Sequence, residues 1–332
     1  MKAAYFTQTG PPDVIQFGDL PDPKPGPAQC LVRVAAVDVN PIDTYIRAGL
    51  VPSKPSFPAI LGRDLAGTVI ECGPGARRFN PGDRVWATNQ GLGDRPGTFS
   101  ELAAVDERWL YPIPPGVKEE DIVALALVAV TAHLGLVLKA QLKAGEILFV
   151  NGGAGGVGSC VVQMARQIGA TVIATAGSDA KVEACRQLGA HVALNHQTEN
   201  VDAAIKQAAP AGVNVWWETL RQPDFERAIP LMAMRGRYVL MAGREARPVF
   251  PVGPFYVKDC SLHGFAMFNA TPEELRAAAV DINHWAAEGR LKARIDRVMP
   301  LSAALEAHRL QEDSTLRQSG VVSGKLVLRV PA

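Results

Sequence analysis

One glycine-rich stretch constrains the fold of this chain more than any other feature. In "EILFVNGGAGGVGSCVVQMARQIGA", Gly153, Gly155 and Gly158 have G-x-G-x-x-G spacing between a strand pattern and a helix pattern. Glycines allow a tight turn and a close approach of the backbone to a pyrophosphate, and Gly158 lets the helix pack against the strand. The free amides and the dipole at the helix start favour negative charge. The stretch therefore predicts a dinucleotide-binding turn, with a ligand-free glycine turn as the alternative. The predicted contacts are Gly153, Ala154, Gly155, Gly156, Val157 and Gly158.

The rest of the chain divides into two kinds of sequence. Residues 1–120 contain much of the proline, in segments such as "PDPKPGP", between short β-branched runs, which predicts an irregular, mainly β domain. From about residue 121, short apolar strands alternate with helices, which predicts βαβ units and a parallel sheet covered on both faces. Helices are predicted over 119–140, 224–234, 271–288 and 301–311. The last strand pattern, "GKLVLRV", has no neighbour of its own and is expected to return to the first domain.

Composition excludes several classes of function. The chain has 332 residues and a formal net charge of +1, so no global field attracts nucleic acid or a membrane surface. Five scattered cysteines predict neither a disulfide framework nor a cysteine zinc site. The N-terminus lacks the apolar region of a signal peptide, and the apolar run 122–138 is short for a membrane span. We therefore expect a cytoplasmic protein.

The end of the second strand of the βαβ unit indicates which dinucleotide binds. NAD sites usually have an acidic residue there, bonded to the ribose hydroxyl, whereas this strand ends at Ala176-Gly177. Ser178 and Lys181 follow and can bind a 2′-phosphate, which favours NADPH over NADH. The alternatives are that Asp179 binds the ribose of NADH and that Lys181 is a solvated helix residue.

Five motifs occur in the order of a known family: "VNPIDTYIRAG", "PAILGRDLAGTVIECG", "PGDRVWA", "GGAGGVGS" and "GKLVLRV". Over essentially its whole length the chain resembles the zinc-free, quinone oxidoreductase (zeta-crystallin-like) branch of the medium-chain dehydrogenases/reductases. The resemblance implies an α/β fold in which a doubly wound parallel Rossmann sheet, residues 124–266, is inserted into a mainly β, GroES-like catalytic domain, residues 1–123 plus 267–332. It also implies a homodimer or homotetramer, since "SLHGFAM" resembles an edge strand that pairs between subunits.

The resemblance also bears on zinc. The positions that match two catalytic zinc ligands in the zinc alcohol dehydrogenases of this family are Asn40 and Arg63. An amide oxygen is a weak zinc ligand and a guanidinium is always charged, so we expect no metal site. Without a Lewis acid, the natural acceptor is already electrophilic, such as a quinone or an enone. Its reduction needs orientation over the nicotinamide and a hydrogen-bond donor at the developing oxygen anion.

The same resemblance implies roles for individual residues. Asn40 and Tyr45 match an N-x-x-x-x-Y motif beside the nicotinamide, where they can bond a substrate oxygen and Tyr45 can donate a proton. Asp64 matches an acidic site residue. The alternatives are that Asn40 caps a turn, that Tyr45 packs inside, and that Asp64 only pairs with Arg47 or Arg63.

Five further residues match cofactor-binding positions. The set is Thr131, His196, Gly243, Phe268 and Lys325. The resemblance places Thr131 and Gly243 near the nicotinamide, His196 near the adenine or its phosphate, and Lys325 near the 2′-phosphate. The alternatives are a Thr131 hydroxyl bonded within its helix, His196 as a loop residue and Lys325 as an ordinary strand lysine.

One segment departs from the family pattern. Where relatives have an aspartate and then a glycine, this chain has "WWETLRQPDF", with Glu218 and Arg221 and two bulky tryptophans. The expected function is NADPH-dependent, zinc-independent reduction of quinones or electron-poor enones, by hydride or single-electron transfer in the interdomain cleft. The alternatives are a 2-alkenal or enoyl-thioester reductase, and a low-turnover NADPH-binding structural or RNA-binding protein. The expected partner is a small molecule, with no nucleic acid or membrane.

Overall fold

The architecture was analysed in a computed structural model that describes residues 1–51, 55–316 and 320–331. The chain divides into two compact units. The first comprises Met1–Leu127 and Thr271–Ala332, and the second comprises Val128–Ala270.

The strands and the helices are each numbered in the order of the chain. The strands are β1 (Lys2–Phe6), β2 (Gln16–Asp19), β3 (Gln29–Val39), β4 (Ala59–Ile60), β5 (Leu65–Cys72), β6 (Arg84–Ala87), β7 (Leu102–Asp106), β8 (Leu110–Pro112), β9 (Ile147–Asn151), β10 (Thr171–Ala176), β11 (Val192–Asn195), β12 (Val213–Glu218), β13 (Met232–Leu240), β14 (Ser261–Gly264), β15 (Ile295–Pro300) and β16 (Lys325–Arg329). The helices are α1 (Pro41–Arg47), α2 (Glu119–His133), α3 (Gly156–Ile168), α4 (Asp179–Gln187), α5 (Val201–Ala208), α6 (Phe225–Leu231), α7 (Val252–Val257), α8 (Pro272–Ala287) and α9 (Ala304–Leu316).

Two sheets form the first unit. One has the strand order β15-β16-β3-β5-β6-β8, with β7 also paired to β3, and the other has the order β2-β1-β4. The late strand β16 runs antiparallel to β3, with Leu326 opposite Val39 and Leu328 opposite Val37. Alternating apolar residues of these strands fill a core in which Val37, Val39 and Leu326 are fully buried.

The second unit contains a parallel sheet. Its strand order is β11-β10-β9-β12-β13-β14, and every neighbouring pair is parallel. In units of chain order this is 3-2-1-4-5-6, the order of the doubly wound dinucleotide-binding fold. The predicted fold class is therefore confirmed.

The two tryptophans of β12 lie on opposite faces of this sheet, as neighbours in a strand must. Trp216 packs in a core with Phe149 at a ring-centroid distance of 4.2 Å and with Tyr238 at 6.2 Å. On the other face Trp217 makes an edge contact with Phe265. It also closes over Gly135, where an added Cβ would lie 2.2 Å from Trp217 Cη2. The bulky β12 is therefore accommodated by a glycine 82 positions earlier.

Two predicted helices differ from the observed ones. The helix predicted over 119–140 is α-helical only to His133 and continues as a wider π-helical turn over Leu134–Lys139, which contains Gly135. The helix predicted over 224–234 ends at Leu231, after an internal Pro230, and Met232 already begins β13. Within the described residues, the continuous helix Glu119–Lys139 is long and apolar enough to span a membrane, but 78% of its apolar window is buried inside the protein, as in a core helix.

Gly135 tests whether Trp217 dictates this packing. In an ordinary helix Gly→Ala stabilises by roughly 0.5–1 kcal/mol. Here we expect Gly135→Ala to lower the free energy of unfolding by about 1–3 kcal/mol, because the new methyl group overlaps the indole. Gly135→Ala/Trp217→Leu should recover part of the loss in urea unfolding. Gly253→Ala is the control, since a Cβ at Gly253 meets nothing within 4 Å. A stabilised Gly135→Ala protein would contradict this packing.

Candidate functional site

The glycine stretch forms a tight turn between β9 and α3. Gly152 has a φ of +87°, a conformation that favours glycine, and Gly155 is the residue before the first helical turn. The Gly153 amide donates to Thr175 O at 2.8 Å, which ties the turn to β10. An added Cβ on Gly158 would lie 2.1 Å from Gly152 O, whereas one on Gly155 would lie at an ordinary 3.5 Å. The close approach at Gly158 is the helix–strand packing that the sequence predicted.

A buried carboxylate is connected to this turn by a chain of hydrogen bonds. Glu218, at the end of β12, accepts hydrogen bonds at Oε2 from Asn151 Nδ2 at 3.2 Å and from Tyr238 Oη at 3.2 Å. The Asn151 amide oxygen in turn accepts from Thr175 Oγ1 at 2.8 Å, and Thr175 Oγ1 accepts from the Gly152 amide at 3.1 Å. Burial raises the pKa of Glu218. The segment that departs from the family pattern therefore belongs to the hydrogen-bonded support of the turn.

Residues beyond the end of β10 form an exposed polar corner. Ser178 is the N-cap of α4 and its Oγ accepts from the Lys181 amide at 3.4 Å. His196 lies against Gly177, with its Cε1 3.2 Å from the position of an added Cβ. Asp179 Oδ1 accepts from Asn195 Nδ2 at 2.7 Å, so its carboxylate is held towards β11. Ser178, Lys181 and His196 therefore lie at or next to this corner, and their binding of a nucleotide phosphate stays a prediction, while Asp179 has a structural partner.

The other residues predicted in this unit are more dispersed. Thr131 is buried in α2, and Phe268 is half-buried in a 3₁₀ turn, Met267–Asn269. Gly243 follows β13 with a φ of +87°, and an added Cβ there would lie 2.8 Å from Arg221 O. The loop after β13 therefore packs closely on the segment after β12, which is the segment that differs from the family pattern.

A buried polar cluster surrounds Asn40 in the first unit. Lys325 Nζ lies 2.6 Å from Asp38 Oδ2 and donates to Asn40 Oδ1 at 2.6 Å and to Val39 O at 3.2 Å. The Asn40 amide nitrogen donates to Asp64 Oδ2 at 2.8 Å and to Asp38 Oδ1 at 3.3 Å. The Lys325 ammonium must face the amide oxygen of Asn40, and the carboxyl groups must face the amide hydrogens of Asn40. These partners therefore fix the orientation of the Asn40 side chain.

The cluster carries more carboxyl groups than its lysine can neutralise. Asp38 and Asp64 are both fully buried, and burial followed by the neighbouring Asp38 raises the pKa of Asp64 well above its usual value. Asp64 therefore favours its protonated form more than an exposed aspartate does, which lowers its repulsion with Asp38. A third carboxylate, Asp43, accepts the Asn40 backbone amide at 2.8 Å, and burial raises its pKa to about 6.

Arg63 is buried beside this cluster. Its Nε lies 3.5 Å from Asp43 Oδ1, and its Nη1 donates to Gln90 O at 2.9 Å and to Gly91 O. Asn40 has an ammonium 2.6 Å from its oxygen, and Arg63 is a cation surrounded by carbonyl groups. Neither side chain has the donor chemistry of a zinc ligand. In the part of the chain that the structure describes, no group of three or more His, Cys, Asp or Glu side chains is placed to hold a metal ion.

The geometry corrects two of the predicted roles. Lys325 is only 6% exposed and its three bonds use all three ammonium hydrogens, so it has none left for a nucleotide phosphate. Asn40 is fully buried and its two amide hydrogens go to Asp64 and Asp38, so it has none to donate to a substrate oxygen. Asn40 is instead the N-cap residue of α1, the helix that carries the half-buried Tyr45.

Sequence reasoning missed Asp38, Asp43 and the support role of Glu218. Asp38 lies two residues before Asn40, directly after the apolar run 34–37 of β3, and a charged residue in such a position was a usable signal. The sequence also suggests an ion pair of Asp64 with Arg47 or Arg63. In the structure Arg47 Nη2 pairs with Glu312 at 2.9 Å, and Asp64 accepts a hydrogen bond from the Asn40 side chain.

Comparisons with known proteins agree with both halves of this geometry. Residues 26–115 match the family described as "Alcohol dehydrogenase GroES-like domain", and residues 156–283 match "Zinc-binding dehydrogenase". The human protein "Quinone oxidoreductase" is 30% identical over 330 residues, which cover 99% of this chain and 97% of the human one. The chain belongs to the medium-chain dehydrogenase/reductase family, in its quinone oxidoreductase branch. It is therefore an oxidoreductase.

Solved structures of this family superpose over the whole chain. The Escherichia coli quinone oxidoreductase complexed with NADPH has a TM-score of 0.85 and 26% identity, and covers 99% of this chain and 100% of its own. A structure described as an NAD-dependent alcohol dehydrogenase has a TM-score of 0.87 and 29% identity, with 100% of both chains covered. The two neighbours are named for different cofactors, so residues at the end of β10 must indicate the cofactor of this member.

The Lys325 ammonium should be essential to the Asn40 cluster. We expect Lys325→Met to lower the free energy of unfolding by about 3–5 kcal/mol, because it leaves the Asp38 carboxylate buried without its cation. Lys325→Met/Asp38→Asn, which removes both charges, should recover a large part of this loss. Urea unfolding at neutral pH measures both, with exposed Lys206→Met as the control. An equal loss in the single and double variants would contradict the charge argument.

Proposed function

We propose that this protein reduces quinones or related electron-poor enones with NADPH and without zinc. The observation that carries the proposal is the Asn40 cluster, where the side chains at the two zinc-ligand positions are engaged by an ammonium and by backbone carbonyls. Side chains engaged in this way supply no Lewis acid, so the site suits an acceptor that is electrophilic by itself. The similarity to quinone oxidoreductases supports the same acceptor class.

Two features of the second unit support the proposal that NADPH binds there. The amides of the β9–α3 turn would hold the pyrophosphate at the start of α3. Ser178, Lys181 and His196 would hold the 2′-phosphate and the adenosine end. The reduced nicotinamide, when bound, supplies a hydride. Asp179 Oδ1 accepts from Asn195, which holds one oxygen of this acidic side chain away from a ribose hydroxyl of NADH.

The first unit would position the acceptor. The Asn40 cluster fixes the start of α1. The Asn40 side chain is held by Asp64, and the Asn40 backbone amide is held by Asp43. Tyr45, one turn further along α1, presents a phenol that can donate a hydrogen bond to the acceptor oxygen as negative charge develops on it. The final proton comes from this phenol or from water, and the product is a hydroquinone or a saturated ketone.

The apolar edge of the second unit supports self-association. Strand β14 lies at the edge of the parallel sheet, and Leu262 on it is 41% exposed. The preceding segment exposes Val252, Tyr256 and Val257 by 62–66%. An exposed apolar strand edge is a ready site for pairing with another chain. We infer that a second copy binds here, in a homodimer or a homotetramer.

Lys181 should determine the choice of cofactor. Because a charge-assisted hydrogen bond to the 2′-phosphate would be lost, we expect Lys181→Ala to raise the KM for NADPH roughly 10- to 100-fold. The KM for NADH should change by less than about 2-fold, since that cofactor lacks the phosphate. Exposed Lys206→Ala is the matched control, and absorbance loss with 1,4-benzoquinone is the assay. If the wild-type protein prefers NADH, the proposal for NADPH is wrong and Asp179 becomes the residue that selects the cofactor.

Asp64 should act as a neutral hydrogen-bonding group rather than as a carboxylate. We expect Asp64→Asn, which imitates the protonated acid, to keep kcat/KM for quinone within about 3-fold of wild type. Asp64→Ala should lower it roughly 10- to 100-fold, because Asn40 loses its partner. Chelation should not change the wild-type rate. If Asp64→Asn is as impaired as Asp64→Ala, the residue works in its charged form and this assignment is wrong.

The acceptor class is tested in the same assay. Rapid oxidation of NADPH by 1,4-benzoquinone is the expected result. Preference for trans-2-hexenal would replace the quinone by a 2-alkenal or enoyl-thioester substrate. Tight NADPH binding without turnover of either acceptor would overturn the enzymatic proposal.

A further inference from the structure

Two cysteines face each other across neighbouring strands of the first unit. Cys30 at the start of β3 and Cys72 at the end of β5 are direct partners in the antiparallel register. Their Sγ atoms are 3.8 Å apart, close to van der Waals contact, although the residues are 42 positions apart in the chain. Both are free thiols. The fold therefore creates a dithiol that no sequence spacing indicates.

The position of this pair in the ladder suits a disulfide. The next pair, Gln29 and Gly73, is joined by a hydrogen bond from the Gly73 amide to Gln29 O at 2.8 Å. Hydrogen-bonded and non-hydrogen-bonded pairs alternate in antiparallel strands, so Cys30 and Cys72 form a non-hydrogen-bonded pair. Such pairs have Cα atoms about 4.5 Å apart, within the range that a disulfide can bridge. The bond therefore needs side-chain rotation but no change of register.

The two thiols differ in access. Cys30 is fully buried, whereas Cys72 is half-buried and its thiol lies 3.3 Å from Phe79 O. Burial and the neighbouring Cys72 raise the pKa of Cys30 to about 12, which keeps the Cys30 thiol protonated at neutral pH. An oxidant from solvent therefore meets Cys72 first, and Cys30 is placed to react second.

We propose that Cys30 and Cys72 form an oxidation-sensitive site, which a peroxide converts into a cross-strand disulfide. Cys72 Sγ attacks one peroxide oxygen, the O–O bond breaks, and Cys72 sulfenic acid and one water result. Cys30 Sγ then attacks the Cys72 sulfur, the S–O bond breaks, and the thiol proton leaves with the hydroxyl group as a second water. Two thiols are thereby oxidised to one disulfide, and one hydrogen peroxide is reduced to two waters.

The disulfide would close a loop that contains the Asn40 region. Asn40, Tyr45 and Asp64 all lie between the two cysteines in the chain. Closing a long loop restricts the unfolded chain and stabilises the folded unit. We therefore expect oxidation to stabilise the first unit, in contrast to the damage that sulfinic acid formation at a core thiol would cause.

The experiment treats the full chain with hydrogen peroxide, blocks remaining thiols with iodoacetamide, and maps peptides by mass spectrometry. The expected result is a Cys30–Cys72 linked peptide, the loss of two hydrogen atoms, and a Tm higher by about 5 °C or more that dithiothreitol reverses. Cys72→Ser should abolish the link. Cys260→Ser, at another half-buried cysteine, should leave it unchanged.

Two outcomes would overturn the proposal. One is oxidation of Cys72 to sulfinic acid while Cys30 remains open to alkylation after unfolding. The other is the recovery of both cysteines as free thiols at peroxide concentrations that oxidise Cys260. Peptide mapping of the wild-type chain decides between these results even if Cys72→Ser does not fold. The measurement uses neither cofactor nor acceptor, so its result is independent of the proposed function.

Discussion

The pairing of β16 with β3 is the constraint on which the first unit depends. With Leu326 opposite Val39, the register continues to place Lys325 beside Asn40, and the ammonium enters a space that already holds the carboxyl groups of Asp38 and Asp64. Burying these acids without a cation would cost several kcal/mol for each charge. The end of the chain must therefore be in place before the Asn40 region has its final structure. A residue late in the sequence controls a site that is built mainly by early ones.

The second unit follows the same rule with a carboxylate of its own. Glu218 is buried under the nucleotide turn and its oxygens accept hydrogen bonds from Asn151, Tyr238 and the Leu220 amide. Because buried polar groups are costly when unsatisfied, this set holds the ends of β9, β12 and β13 in one arrangement. The departure from the family pattern at this point is compensated locally, by Gly135 under Trp217 and by hydrogen bonds around Glu218. The turn itself keeps its tight contact between Gly158 and Gly152 and its hydrogen bond to β10.

Much of the fold was predictable because periodicity and glycine spacing are local properties. The alternation of strands and helices predicted the parallel sheet, and the glycine stretch predicted the β9–α3 turn with its close contact at Gly158. The candidate site was less predictable. Asn40 and Lys325 were singled out for separate roles, as a substrate ligand and a phosphate ligand, yet they bind each other. The position of Asp38 after the apolar run 34–37 signalled a special role, but it gave no sign that the partner would be Lys325.

The sequence by itself determined the fold class, the nucleotide turn and the side chains available for chemistry, since each rests on residues close together in the chain. The tertiary structure decided which of those side chains form hydrogen bonds or ion pairs with one another. It set the partners of Lys325, the raised pKa of Asp64 and the contact between Cys30 and Cys72, across separations of up to 287 residues, from Asp38 to Lys325. Burial makes these pairings decisive, because in the low dielectric of the interior a charge or a polar group must bind the partner that the fold brings to it.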